Sequence, residues 1–164
     1  MTVGGIFRPG MRVYFVPFAA GMALAVSAFL PWVVVGETAL RGVPDLAAMW
    51  IAGLGIVASV LALLSLITRR NSRHPLLLVG LISLGIMFLS WRILPRTVGE
   101  RALTMSQALA IVENAPMRGA PDALAGSGIY IGLAASGVLV AFGLTIVIRR
   151  AARPYIAAEP DDDI

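Results

Sequence analysis

The stretch at residues 30–47, LPWVVVGETALRGVPDLA, decides how this chain is read, because it occurs twice. The second copy is divided. Residues 94–103, LPRTVGERAL, match its first half, and residues 118–125, RGAPDALA, match its second, with residues 104–117 inserted between them. Each copy follows one long apolar run and precedes another, and each of those second runs stops at an arginine pair, Arg69 with Arg70 or Arg149 with Arg150. The repeating unit is therefore a whole membrane hairpin, in line with the duplicated helix groups from which many membrane proteins are built.

Working outward, the composition fixes the class. Hydrophobic residues make up 59% of the chain and charged residues 13%, and the mean hydropathy is +0.88, far from the balance of a soluble domain. Four spans of about 20 residues each would consume half of the 164 residues, leaving no room for a separate soluble domain. The net charge of +4 does not point to nucleic acid, because the arginines sit at the ends of apolar runs and act as topology signals. The chain has no Cys, which excludes disulfide staples, thiolate metal sites and thiol catalysis.

In order along the chain, residues 1–12 form an N-terminal tail with Arg8 and Arg12. A first span is expected over residues 13–34, with Pro17 either in its first turn or at a kink, and Pro31 and Trp32 closing it. The Ala23-x-Ala25 arrangement imitates a signal-peptide cleavage site, but the run continues well beyond a normal signal core. A short outer loop follows, in which Glu37 and Arg41 can bridge. Pro44 and Asp45 then mark a helix start with Asp45 as N-cap, and Asp122 after Pro121 repeats the arrangement.

The second span, residues 46–68, starts with Trp50 and carries Gly55, Ala58, Ser59 and Ala62 as a small-residue face. Arg69, Arg70, Arg73 and His74 fill a tight turn, so the third span, opened by Pro75 and running to about residue 94, must be its antiparallel neighbour. Trp91 and Arg92 close that span. The fourth, residues 127–148, holds Gly128, Gly132 and Ser136 on one face, where a neighbouring backbone can approach closely. Trp32, Trp50 and Trp91 are expected at the membrane surface, as anchors or partner contacts. Arg69, Arg70, Arg149 and Arg150 are expected among lipid headgroups. The arginine distribution places both termini, including the acidic tail at 151–164, on the cytoplasmic side.

The insertion at 104–117 is what the second hairpin has and the first lacks. Thr104 and Gln107 have capping-box spacing, and Met105, Ala108, Leu109, Ile111 and Val112 repeat at helical period, which predicts a separate short outer helix. Its apolar face either covers the bundle or headgroup layer, or presents Met105, Leu109 and Val112 to a partner subunit.

Residues suited to chemistry are scarce. His74 is the only histidine and has no local metal-ligand pattern around it. Between the expected interfaces there is no Asp, Glu, His or Lys, which counts against a proton or ion pathway through this chain alone. Ser27, Ser59, Ser65, Ser83, Ser90, Ser136 and Thr145 fit helix contacts. No catalytic residue, cofactor site or metal site is expected.

With LPWVVVGETAL followed by Trp50 and a span rich in Gly, Ala and Leu, the chain resembles a loose group of small bacterial four-span membrane proteins with LPW at the first outer exit. The resemblance covers mainly the first hairpin and implies a four-helix membrane fold in the bacterial inner membrane, with no activity attached. The topology is also that of claudin-like proteins, but their outer-loop cysteine pair is missing.

The expectation is thus an all-α polytopic membrane protein. Its four-helix transmembrane bundle is a tandem repeat of two hairpins, residues 13–70 and 71–150. Two functions fit it. One is a non-catalytic accessory or scaffold subunit packing against other integral membrane subunits, lipids or pigments. The other is a small oligomeric transporter or channel lined by Ser and Thr.

Overall fold

A computed structural model of the chain describes residues 12–68, 73–114, 116, 119 and 122–151. Arg69 and Arg70 lie outside the described residues, as do the N-terminal residues before 12 and the C-terminal residues after 151. The side chains of Arg149 and Arg150 also lie outside them.

A 3-10 turn at Arg12–Tyr14 leads into α1, Phe15–Ser27. Pro17, buried at the third position of α1, sits in the first turn, where its missing N–H costs nothing. The chain then forms two strands, β1 (Pro31–Val35) and β2 (Thr38–Arg41), before α2, Leu46–Thr68. A single helix, α3, runs over Arg73–Val112. After it come β3, Ala123–Ala125, and α4, Ser127–Ala151.

The fold is mostly helical. The segments Leu46–Thr68, His74–Val112 and Ser127–Thr145 are long and apolar enough to cross a membrane, whereas α1 is a shorter apolar helix. The expected first span over 13–34 is cut short by its own sequence. Trp32, Val33, Val34 and Val35 are β-favouring residues, and Gly36 at φ +57 opens a two-residue turn, Gly36-Glu37, of the type II′ pattern. Val35 then faces Thr38 across this turn. The supposed outer loop is thus a hairpin, and β3 adds to β1 on its other side, giving the antiparallel order β2-β1-β3.

The two copies of the repeat consequently have different structures. LPWVVVGETAL makes β1 and β2, while LPRTVGERAL stays inside α3 with Pro95 in the helix. Glu100, Arg101, Ala102 and Leu103 are good helix formers, and Arg96 Nε pairs with Glu100 Oε1 one turn on at 3.1 Å. The predicted separate helix at 104–117 is corrected in the same way: α3 continues without a break to Val112. Thr104 is no cap, since its hydroxyl donates to the Glu100 carbonyl at 2.9 Å inside the helix. Asn114 at φ +52 ends the run. Asp45 does stand at the start of α2, its carbonyl accepting the Met49 N–H at 3.0 Å. Asp122, by contrast, precedes a strand, and α4 begins only at Ser127.

The helices form a ring in chain order, α1 against α2 and α4, and α3 against α4 and α2. Paired contacts fix the directions. Gly21 lies against Ser59 while Ala25 lies against Gly55, and Leu77 lies against Gly143 while Met87 lies against Gly132, so α1–α2 and α3–α4 are each antiparallel. Leu24, Ile51, Leu76, Met87, Ile129 and Leu139 fill the centre and are fully buried. At one end of the bundle Tyr14 meets Phe142 edge to face, with ring centroids 5.3 Å apart. The sheet covers the other end.

Candidate functional site

The small residues on the helices form the closest crossings. A Cβ placed on Gly55 would lie 2.5 Å from the Ala25 nitrogen and 2.7 Å from the Gly21 carbonyl oxygen, and one on Gly21 would lie 2.6 Å from Ser59 Oγ. Gly55 and Ser59 therefore hold α1 and α2 at backbone contact, as small residues allow in membrane helices. On α4, Gly128 abuts the Ser27 carbonyl and the Trp32 ring, and Gly132 abuts the Met87 thioether. Ser136 is fully buried.

Among the described residues, five of the six buried serines, all but Ser90, use their hydroxyls on their own helices. Ser27 donates to the Leu24 carbonyl at 2.7 Å, Ser59 to Gly55 at 2.9 Å, Ser65 to Leu61 at 2.9 Å, Ser83 to Val79 at 2.8 Å and Ser136 to Leu133 at 3.0 Å. Each is satisfied locally and so needs no water or passing ion.

Of the three tryptophans, Trp32 departs most from its expected place. At 1% exposure it cannot contact a partner. Its indole drops from β1 into the bundle, where Nε1 donates to the Ser27 carbonyl at 2.9 Å, and the close approach of Gly42 and Gly128 to the ring makes room for it. Trp32 ties the sheet to the end of α1. Trp50 is exposed and borders an apolar notch with Leu46, Met49, Gly53, Leu54 and Val57 on α2. Trp91 is partly exposed beside Phe88, with centroids 5.9 Å apart.

The far part of α3 extends past the sheet. Gly99 is level with the sheet, its backbone close to Ala123. From there α3 runs on for about 20 Å to Val112, at 1.5 Å per residue. One helical stripe passes through the whole of α3: Leu76, Val79, Ser83, Met87 and Ser90 are buried against the bundle. The same repeat of three and four residues then carries through Leu94, Thr97, Arg101, Met105 and Ala108 to Val112. Beyond the sheet this stripe is uncovered, with Met105 69% and Val112 82% exposed, and Leu109 beside them exposed as well. A shallow groove lies along it, lined by Thr97, Glu100, Arg101 and Thr104 nearer the bundle and by Met105, Ala108, Leu109 and Val112 farther out. The helix face that packs the core lower down is thus presented bare above it.

The groove is electrostatically mild. Glu100 is engaged by Arg96 in an exposed pair worth about 0.3–0.5 kcal/mol, leaving Arg101 as the stripe's own charge. Among the described residues no group of three His, Cys, Asp or Glu side chains could hold a metal ion. The hairpin was the feature missed by sequence reasoning. Its signal is a β-branched run followed by Gly, one further residue and Thr, but Val33 and Val34 also continue the apolar run that reads as a membrane span.

No family model, curated protein or solved structure matches this chain.

Proposed function

We propose that this protein is a non-catalytic accessory subunit of a larger complex in the bacterial inner membrane. The observation that carries the reading is the bare continuation of the bundle-facing stripe on α3, with Met105, Leu109 and Val112 exposed. At 40 residues, or about 60 Å, α3 is about twice as long as a hydrocarbon core of roughly 30 Å is thick, so in this reading its far part stands in water, where such side chains are costly to leave bare. Burying two of them is worth roughly 3 kcal/mol or more. An extramembrane segment of another subunit, lying along the groove over the sheet, would complete the packing that α4 supplies lower down.

In this reading all four helices cross the membrane as two repeated hairpins, α1–α2 and α3–α4, with both termini cytoplasmic and the sheet and α3 extension outside. The alternative, a small oligomeric channel, gains no support from Ser27, Ser59 and Ser83, whose hydroxyls are spent on their own helices. The test is mild-detergent purification of the wild type and of a Met105→Glu/Leu109→Glu variant. Unlike subunits that co-purify with the wild type and are lost from the variant support the proposal. A pure homo-oligomer in both, with ion flux in liposomes, overturns it.

A further inference from the structure

We propose that two copies of this chain join through β2, so that one antiparallel sheet runs through both in the order β3-β1-β2-β2-β1-β3. This rests on the sheet and is independent of the α3 groove. β2 is an edge strand: it pairs with β1 on one side and with no described strand on the other, and all four of its residues are exposed.

The backbone sets which groups the open edge offers. Val35 and Thr38 face each other across a two-residue turn, and such a pair exchanges both its hydrogen bonds. At the other end of β2, the Gly42 N–H donates to the Leu30 carbonyl at 3.2 Å. Residues 38 and 42 therefore point their backbone groups toward β1, and Ala39 and Arg41 between them point theirs away. An identical strand can hydrogen-bond to that edge only in a register that respects this alternation. Ala39 opposite Ala39 of the second copy is one such register.

Charge selects it. Edge strands are ordinarily protected by charges that repel a copy of themselves. Here the two exposed charges flanking Ala39, Glu37 and Arg41, are of opposite sign and equidistant from it. In the Ala39-centred register each Glu37 falls opposite Arg41 of the other copy, giving two matched cross-strand pairs and no like-charge pair. The two-fold axis of such a pairing is perpendicular to the sheet.

The chain's lack of cysteine makes the test direct. Ala39→Cys is treated with a short bis-maleimide in native membranes. Paired Cα atoms about 5.5 Å apart put the two thiols within its reach. A covalent dimer is expected for Ala39→Cys and none for Leu124→Cys, an exposed position on the opposite edge strand. Adding Glu37→Arg should lower the cross-linked fraction about tenfold, and adding Arg41→Glu to that variant should restore it. Cross-linking of Ala39→Cys no greater than that of Leu124→Cys, or unchanged by Glu37→Arg, or not restored by the double reversal, overturns the proposal.

Discussion

Replacing Gly55 by alanine adds one methyl group where α1 and α2 cross, and the structure sets the size of the effect. The new Cβ would lie 2.5 Å from the Ala25 nitrogen, 2.7 Å from the Gly21 carbonyl oxygen and 2.8 Å from the Ala25 Cα, against ordinary contacts of 3.4–4 Å. All three neighbours are backbone atoms, so no rotamer change relieves the overlap. The helices must separate by about 1 Å, which removes contact along the whole crossing and costs about 1–3 kcal/mol. Gly53 is two residues away on the same helix, and a Cβ there meets nothing within 4 Å. Gly53→Ala should therefore stay within about 1 kcal/mol of wild type, on the stabilising side if helix propensity acts. The assay is unfolding by sodium dodecyl sulfate in mixed micelles, followed by the near-ultraviolet signal of the aromatic side chains, among them the buried Trp32. Equal midpoints for Gly53→Ala and Gly55→Ala would refute the backbone contact and, with it, the placement of α1 against α2.

Three further outcomes follow from the same geometry. Gly132→Ala meets the flexible end of Met87 before any backbone, so it should cost less than Gly55→Ala in the same unfolding assay. Trp32→Phe removes the indole N–H that reaches the Ser27 carbonyl. It should destabilise by about 1–3 kcal/mol and speed amide exchange in β1 more than in α2. Arg96→Ala breaks a pair whose side chains are 83% and 65% exposed, and its unfolding midpoint should shift by no more than the equivalent of about 0.5 kcal/mol.

The long apolar helices, the bounds of α2 and the start of α4 were legible in the sequence, because long apolar runs leave few alternatives. The sheet end was not. LPWVVVGETAL and LPRTVGERAL align well, yet one is a hairpin and the other a helix. Three valines before a Gly that adopts φ +57 favour strands and a tight turn. An arginine and a glutamate one helical turn apart favour continuation of α3. Shared letters therefore recorded a likeness that local preference had separated. Trp32 could not be placed for a related reason. A tryptophan after Leu-Pro at the end of an apolar run fits a membrane surface, and only the pairing of β1 with its neighbours turns it inward. The groove on α3 was half legible: Met105, Leu109 and Val112 stood out by period, but their continuity with Leu76, Ser83 and Met87 required the helix to pass through Pro95.

Single-cysteine labelling with a membrane-impermeant maleimide tests the central claim, a four-span bundle with its sheet and α3 extension on the outer side. Ala39→Cys and Val112→Cys should label in intact cells, and Thr2→Cys and His74→Cys only after the membrane is opened. Labelling of Thr2→Cys alongside Ala39→Cys would mean that α1 does not cross, and labelling of His74→Cys alongside Val112→Cys would mean that α3 does not; either contradicts the account.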